Sequence, residues 1–405
     1  MLELGYQLTT EVPMKSRFVL DQSAKSALYD LYLYAFNKSD SDFRKQFWST
    51  RFDHGIPYGI YENHDLVSGL FSMPYKVNFH GQAFLMNGIT DVMSVPEYSG
   101  KGAAGTLMKT ALSDMYENDV VLSYLAPFSF AYYRKFGYEQ LFDHQLYQID
   151  GDKLPRVRPS KTGHVRRTSL AKAIPLIQEA YLSSPLSQNG GLIRADWWWH
   201  YLTEKHPEWQ VAYFEDDQQT VTGYLIYTRT ADEFHVQEFV HLTPASYQSL
   251  LSFVFKHGAG YQSYTFENAN PNYQGDLLAD PYALKVTTQP YMMGRIVNLQ
   301  AFLAKYPFAQ TDFKPVSFNI LDETLEQNQG TWTISVTAGK TGIEYDSELK
   351  EAVPTFTIQQ FTKAVFGYRS LAAQRAFGQI AADAEKLAKL DNLFIQQKPI
   401  LADYF

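Results

Sequence analysis

One stretch, residues 88–139, constrains the fold more than any other part of the chain. It opens with a β-rich run at residues 89–95, and a turn of small residues follows, Ser99-Gly-Lys-Gly-Ala-Ala-Gly105. Apolar residues then recur at helical spacing over 103–116, and residues 120–126 form a second apolar run. This order predicts a strand–turn–helix–strand unit. In such a unit the turn lets an anion approach the backbone, because the first N–H groups of the helix have no partner within it.

The turn alone is a weak signal, because a glycine-rich connection before a helix is more often only a tight turn. Its setting resembles the acetyl-CoA-binding core of the GNAT N-acetyltransferases, whose signature is [RQ]-x-x-G-x-[GA] directly after a strand. Here Ser99 replaces the basic or amide first residue, and we expect Lys101 to supply part of the lost phosphate contact. The later run Phe130-Ala-Tyr-Tyr-Arg-Lys-Phe-Gly-Tyr138 resembles the end of the same core. More narrowly, the frame is similar to the Eis-type (enhanced intracellular survival) acetyltransferases.

Length and composition limit the rest of the molecule. A chain of 405 residues is too long for one ordinary core, so two or three domains are expected. The absence of cysteine excludes disulfides, thiolate metal sites and a cysteine nucleophile. The net charge of −8 argues against nucleic-acid binding. The sequence has neither a secretory signal core nor an apolar window of membrane-spanning length, which predicts a cytoplasmic protein that does not enter a membrane.

The order of predicted elements in the first part of the chain returns in the second. The first part has two helices, a hairpin and a strand, at residues 23–36, 40–48, 57–73 and 83–95. The second part has the same series at residues 169–181, 196–203, 211–225 and 234–242. Its next helix, 245–255, follows Pro244 rather than a glycine-rich loop. The pattern predicts a duplicated fold whose second copy does not bind the cofactor; the alternative is coincidence between two ordinary α/β segments.

From residue 292 the pattern changes to an α+β one. Strands are predicted at 316–321, 330–336 and 343–345, and helices at 357–366, 371–377 and 383–391. The segment resembles the sterol-carrier-protein-type domain that ends Eis-type proteins, although such a fold does not imply lipid transport. The resemblance then covers essentially the whole chain. It implies an active GNAT domain at 1–150 and a degenerate GNAT-like domain at 151–291, each α/β with a mixed central sheet, and a sterol-carrier-protein-like α+β domain at 292–405.

Acetyl transfer from a thioester to an amine sets the requirements for the site. The thioester must be held, its carbonyl polarised, the ammonium deprotonated and the leaving thiolate protonated. The resemblance implies that acetyl-CoA is held by a strand end and a loop, namely Met93, Ser94, Val95, Gly100, Lys101, Gly102, Ala103, Ala104 and Gly105. Arg134 is a further candidate for a phosphate contact, or else a solvated residue before a turn. We find no His, Asp and Glu cluster with metal spacing in the sequence and expect no metal.

The resemblance also assigns a general acid and a general base. The acid of the family aligns with Tyr133, and a phenol with a pKa near 10 can protonate a departing thiolate. Spacing alone would not single out this residue among 29 tyrosines. The base of the family is the α-carboxylate of a C-terminal aromatic residue, which here is Phe405. The plainer interpretation is that the Phe405 ring fills a groove between domains.

The acceptor pocket is poorly defined by sequence. Asp91 on the cofactor strand and Tyr34 and Phe36 in the early helical region are candidates, although such residues more often have a plain core or surface role. The family acetylates aminoglycosides and other polycationic amines and forms hexamers, so the resemblance implies a small polycationic acceptor, a broad acidic pocket and a homo-oligomer. Two alternatives stay open: a non-enzymatic ligand-binding protein with a decayed cofactor site, and an acyltransferase that uses another acyl-CoA or acts on protein lysine.

Overall fold

The first part of the chain alternates helices with the strands of one sheet. The computed structural model describes residues 18–278 and 280–405. Its first elements are α1 (Lys25–Ala35), α2 (Asp42–His54), β1 (Ile56–Glu62), β2 (Asp65–Phe79), β3 (Gln82–Ser94), α3 (Ala103–Glu117), β4 (Leu122–Leu125), α4 (Phe130–Arg134) and β5 (Glu139–Gln140). The predicted helices, hairpin and strands are confirmed with small shifts at their ends. Helix α4 was not predicted, because its five residues are too few to show helical periodicity.

The middle of the chain repeats this alternation. Its elements are β6 (Asp143–Asp150), β7 (His164–Ser169), α5 (Leu170–Leu182), α6 (Pro185–Gln188), β8 (Asn189–Leu192), α7 (Asp196–Lys205), β9 (Gln210–Glu215), β10 (Val221–Arg229), β11 (Glu233–His241), α8 (Pro244–Phe255), β12 (Ser263–Asn268) and β13 (Leu284–Pro290). The predicted helices, hairpin and strand are again present. Strands β6, β7, β8, β12 and β13 are additional to the prediction.

The last part is a small sheet with helices. Its elements are β14 (Met293–Ile296), α9 (Leu299–Lys305), β15 (Phe313–Leu321), β16 (Gly330–Thr337), β17 (Lys340–Asp346), β18 (Thr355–Thr357), α10 (Ile358–Val365), α11 (Leu371–Ala376) and α12 (Ala384–Asp391). The predicted α+β character is confirmed. No helix within the described ranges, 18–278 and 280–405, has both the length and the apolar character needed to cross a bilayer.

Three sheets carry the architecture. The strand orders are β1-β2-β3-β4-β14-β5 with β8 also paired to β2, then β13-β6-β12-β11-β10-β9-β7, and then β17-β16-β15-β18. In the first sheet β2 is antiparallel to β1 and β3, and β4 returns parallel to β3 after α3. The second sheet has the same arrangement, since β10 is antiparallel to β9 and β11, and β12 is parallel to β11 after α8. The predicted duplication of a mixed α/β fold is therefore confirmed.

The sheets exchange strands across the predicted domain boundaries. β14 begins at Met293 but lies between β4 and β5 in the first sheet, and β8 pairs with β2. β6 begins at Asp143 but belongs to the second sheet. The strands of one sheet therefore come from both sides of the predicted domain boundaries at residues 150 and 291. The division into three domains at these residues stays a prediction.

A cleft opens at the same place in each of the first two sheets. Parallel pairing of β3 with β4 ends at Ile89, opposite Leu125, and β3 continues beside β2 through a bulge at which Asp91 has a φ of +49°. Pairing of β11 with β12 ends at Val236, and β11 then passes through a register shift at Gln237. Bulges bend a strand and end regular pairing, so each parallel strand pair separates beyond this point.

The C-terminal segment, residues 395–405, has no helix or strand and runs between the two sheets. The Ile400 N–H donates to the Asn189 carbonyl oxygen (2.7 Å), and the Leu401 carbonyl oxygen accepts from His144 Nε2 (2.8 Å). The segment ends with Phe405 against β3 of the first sheet, where its ring contacts the position of Gly88.

Candidate active site

The glycine-rich loop leaves the N-terminus of α3 open. Gly100 and Gly102 have φ values of +77° and +89°, and Gly102 is the N-cap residue without a side chain to cap the helix. The first helical hydrogen bond runs from Thr106 N–H to the Gly102 carbonyl oxygen (2.9 Å), so the N–H groups of Ala103, Ala104 and Gly105 are without an intrahelical acceptor. A Cβ on Gly100 or Gly102 would meet no atom within 4 Å. Open space, free amides and a helix N-terminus suit a phosphate.

The two basic residues predicted near this loop are differently engaged. Lys101 is exposed, and its ammonium lies 4.2 Å from the centre of the Tyr98 ring. Arg134 on α4 forms a forked ion pair with Glu139, with Nε 3.0 Å from Oε2 and Nη2 2.8 Å from Oε1. Lys101 is therefore at the loop and exposed to solvent, whereas the Arg134 guanidinium is committed to a neighbouring carboxylate.

Part of the end of β3 is already hydrogen-bonded within the protein. Met93 is buried, and Ser94 Oγ lies 2.9 Å from Ser68 Oγ. The Val95 N–H donates to the Val67 carbonyl oxygen (3.0 Å), so this amide is used by the neighbouring strand. The edge of β3 beyond the last pair with β4 has no ladder partner in the described structure. That open edge is the part of β3 that can offer a donor to a carbonyl oxygen.

Tyr133 lies on α4 within an aromatic group beside β4. Ser129 caps this helix by accepting the Tyr132 N–H (3.3 Å). The Tyr133 side chain is only 2% exposed and its ring centre lies 5.2 Å from that of Tyr132 and 6.3 Å from that of Tyr138. Burial, together with the phenols of Tyr132, Tyr138 and Tyr404, raises the pKa of Tyr133 well above its ordinary value. At neutral pH the phenol keeps its proton, which is the form that a general acid needs.

The end of the C-terminal segment reaches the same region. The Phe405 ring is buried, with its centre 5.1 Å from that of Tyr75, and a Cβ on Gly88 would lie 2.6 Å from it. Gly88 thus leaves the space that Phe405 fills, a role that sequence analysis did not assign. The Tyr404 phenol, in the same segment, is one of the groups that raise the pKa of Tyr133.

A buried ionic group of the second sheet and its helices holds this segment; we call it the Asp403 clamp. Asp403 Oδ1 accepts from Arg194 Nε (2.8 Å) and Trp198 Nε1 (2.7 Å), and Oδ2 accepts from the Tyr181 hydroxyl (3.3 Å). Arg194 also forms a forked ion pair with Glu238. Burial raises the pKa of Asp403, and the Arg194 charge opposes this. Sequence analysis missed the clamp, although an aspartate within an apolar terminal run was a signal for a buried partner.

The three predicted acceptor contacts lie in different surroundings. Asp91 is buried and ion-paired with Arg51 (3.0 Å), whose Nη2 also donates to Thr90 Oγ1 (2.7 Å). Burial would lower the pKa of Arg51, but Asp91 and nearby phenols raise it above its ordinary value. Tyr34 and Phe36 are 61% and 40% exposed at the end of α1. Among the described residues, no ring contact links either of them to Tyr133 or Phe405, so the structure does not group them with the catalytic candidates.

Lys205, which the sequence did not mark, lies beside the C-terminal segment. Its ammonium lies 5.5 Å from the centre of the Tyr201 ring and 5.9 Å from that of Tyr404. Burial and the Arg51 charge lower the pKa of Lys205 to about 8, against the effect of Asp91. No aspartate or glutamate of the described residues lies within ion-pair distance of it. The negative charge of Asp91 is therefore outweighed locally by two cations.

This lysine makes stability depend on pH in a definite direction. Its pKa of about 8 in the folded chain is below the ordinary value of 10.5, so between these values the unfolded chain binds more protons. The free energy of unfolding should therefore rise with pH across this window, and Lys205→Met should remove that rise. Calorimetric melting of the wild type and of Lys205→Met at several pH values measures the difference in their free energies of unfolding. The titrating tyrosines are present in both chains, so their contributions cancel in this difference. Parallel pH profiles for the two chains would contradict the assignment.

Known families match the three parts of the chain. An acetyltransferase (GNAT) domain matches residues 20–141, a second acetyltransferase (GNAT) domain matches 190–296, and a sterol carrier protein domain matches 299–402. A search of curated proteins finds no match. Within the described residues there is no group of three or more His, Asp or Glu side chains placed to hold a metal ion.

Solved structures show the same architecture over nearly the full chain. A conserved protein of unknown function from Enterococcus faecalis, a probable N-acyltransferase, is 33% identical with a TM-score of 0.90, covering 96% of this chain and 98% of its own. A GCN5-related N-acetyltransferase from Anabaena variabilis is 22% identical, with coverages of 96% and 99% and a TM-score of 0.85. Eis1 from Mycobacterium abscessus is 17% identical, with coverages of 96% and 99% and a TM-score of 0.77. The last two show the fold alone, and the narrower Eis-type assignment stays a prediction. Together with the two GNAT domain matches, the similarity to the Enterococcus protein shows that the chain belongs to the GNAT acetyltransferases.

Proposed function

We propose that this acetyltransferase moves the acetyl group of acetyl-CoA directly to the amine of a small molecule at the first sheet. One observation supports the proposal: three features adjoin β3 or β4. The open loop follows β3, the Phe405 ring packs at Gly88 of β3, and Tyr133 shares an apolar cluster with Leu125 of β4. Bound acetyl-CoA supplies an activated thioester and a pyrophosphate. The amides at Ala103, Ala104 and Gly105 suit the pyrophosphate, since they face open space at the positive end of a helix.

Two groups of the chain then handle protons. The Tyr133 hydroxyl gives its proton to the leaving thiolate, and its raised pKa keeps that proton in place until the thiolate forms. The α-carboxylate of Phe405 takes the proton that the attacking amine loses, directly or through water. The Phe405 ring holds that carboxylate near β3 by packing into the space left by Gly88.

The second sheet has a different task in this proposal. At the equivalent helix α8, Thr243 Oγ1 accepts the Ser246 N–H (3.1 Å), Ser246 Oγ accepts the Thr243 N–H (3.2 Å), and Pro244 removes another donor. This N-terminus is satisfied by the chain itself and leaves little for a phosphate. The second copy instead holds the C-terminal segment through the Asp403 clamp.

Two classes of acceptor follow from different observations. The resemblance to Eis-type enzymes supports a polycationic amine, aminoglycoside-like or polyamine-like. Lys205 favours instead an amine that also carries a carboxylate or phosphate, because it places an uncompensated cation beside Tyr404. A panel containing both classes decides between them. We also propose that the protein is a homo-oligomer, and the resemblance to Eis-type enzymes suggests a hexamer. Analytical ultracentrifugation measures the oligomeric state.

A matched pair of glycine substitutions tests the loop. Gly102→Ala should raise the KM for acetyl-CoA by about tenfold or more, because a left-handed residue with a Cβ would distort the open backbone that faces the phosphates. Gly81→Ala is the control, since Gly81 has a similar φ of +87° and equally open surroundings but lies in the β2–β3 turn. Both variants should lose similar stability by thermal melting. An unchanged KM for Gly102→Ala would remove the loop from the proposal.

A further inference from the structure

The second cleft contains a cavity that the proposed reaction does not use. It lies where β11 and β12 separate and is partly open, with about 600 Å³ of unfilled space when the solvent at its mouth is included. The register shift at Gln237 contributes to its wall, so it corresponds by position to the cleft of the first sheet. Since the nearby N-terminus of α8 is capped by its own side chains, this cavity is not suited to a second acetyl-CoA.

Asn268 lines this cavity and carries an unsatisfied donor. Asn268 Oδ1 accepts the Asn270 N–H (3.0 Å), which fixes the orientation of the amide. The Nδ2 atom is then the remaining donor, and it is buried without a hydrogen-bond partner among the described residues. A buried donor without a partner costs free energy, so a ligand oxygen here would be stabilising.

The charge and the aromatic rings of the cavity favour a cation. Glu267 lies in the wall with Oε2 3.5 Å from His144 Nδ1, and this interaction lowers the pKa of Glu267, so the carboxylate is ionised at neutral pH. Three aromatic residues, Phe239, Tyr247 and Tyr147, also line the cavity. A cation is attracted both by aromatic faces and by a carboxylate.

We propose that this cavity is a binding site for a small organic cation that carries a hydroxyl or carbonyl oxygen. Glu267 and the aromatic rings bind the cationic group, and the Asn268 amide turns toward the cavity and donates to the oxygen through Nδ2. Ala402 also lines the cavity, and His144 holds the Leu401 carbonyl oxygen, so the ligand touches the C-terminal segment just before the Asp403 clamp.

Calorimetric titration of the full chain with choline tests the site. Choline has a quaternary nitrogen that cannot be N-acetylated, and no acetyl-CoA is added, so the result is independent of the proposed reaction. We expect one choline site per chain. The uncharged isostere 3,3-dimethyl-1-butanol, which has carbon in place of the nitrogen, should bind about tenfold or more weakly than choline. Glu267→Gln should weaken choline binding by a similar factor. Glu208→Gln, at an exposed glutamate paired with His206, is the matched control and should bind like the wild type.

Several results would overturn the proposal. These are no heat of binding for choline, equal affinity for choline and its isostere, or unchanged affinity in Glu267→Gln. If Glu267→Gln does not fold, Tyr247→Leu, which removes an aromatic face, must show the same loss. Thiol release from acetyl-CoA is measured separately, so a failure of this site and a failure of the proposed reaction are distinguished.

Discussion

Tyr133→Phe is expected to lower kcat for acetyl transfer by about a hundredfold or more, the scale of a lost general acid. The substitution removes only a hydroxyl from a ring that is 2% exposed and packed among Phe128, Tyr132 and Tyr138. Packing and acetyl-CoA binding should therefore change little. Thiol release at saturating acetyl-CoA and acceptor measures kcat, and titration with acetyl-CoA measures binding.

The adjacent Tyr132→Phe is the control for this prediction. Tyr132 lies on the same helix and contacts the rings of Phe128 and Phe136, so it reports on the general effect of losing a phenol there. Its kcat should stay within about twofold of the wild type, since the Tyr132 hydroxyl has no part in the proposed proton transfer. Equal losses in both variants, or no loss in Tyr133→Phe, would contradict the assignment of the acid.

The largest effect on stability is expected for Asp322→Asn. Arg295 on β14 and Asp322 after β15 form a buried ion pair, with relative exposures of 0% and 1%. Removing the carboxylate charge leaves the guanidinium buried without its partner. Breaking such a pair costs about 3–5 kcal/mol. Urea denaturation monitored by tryptophan fluorescence measures the lost free energy of unfolding. The relevant transition is the one in which the third sheet unfolds.

This ion pair also supports the candidate active site. Arg295 Nη1 donates to the Phe136 carbonyl oxygen, and a Cβ on Gly137 would lie 2.6 Å from the guanidinium. The third part of the chain thus braces the turn that follows Tyr133. Asp346→Asn is the control, because Asp346 and Lys350 form an exposed pair and no measurable change is expected. Similar midpoints for Asp322→Asn and Asp346→Asn would contradict this account.

The local parts of the fold were predictable because their signals lie within short windows. The helix α3 and its flanking strands follow from periodicity and from the glycines before Ala103. The spacing of Gly100, Gly102 and Gly105 is also that of dinucleotide-binding turns, so spacing alone does not separate the two kinds of site. The sheet separates them, since β3 is antiparallel to β2 here, whereas dinucleotide folds are mostly parallel.

The long-range parts were not predictable from local patterns. Nothing within residues 293–296 indicates that β14 pairs with β4 and β5 far earlier in the chain. Arg194 and Asp403 are separated by 209 residues, and Lys205 reaches the Tyr404 ring only through packing. Strand partners and buried ion pairs of this kind are chosen by tertiary contacts rather than by propensity. The resemblance to a known family supplied Tyr133 and Phe405, which residue patterns alone would not have selected.

The most direct test of the account is thiol release from acetyl-CoA with a panel of aminoglycosides, polyamines and amino acids. We expect the wild type to release thiol with at least one acceptor and to yield its monoacetylated product by mass spectrometry. The chain lacking Phe405 should be slower by about tenfold or more, because the carboxylate is displaced from its position near β3. No thiol release with any amine, together with no binding of acetyl-CoA by calorimetry, would contradict the account.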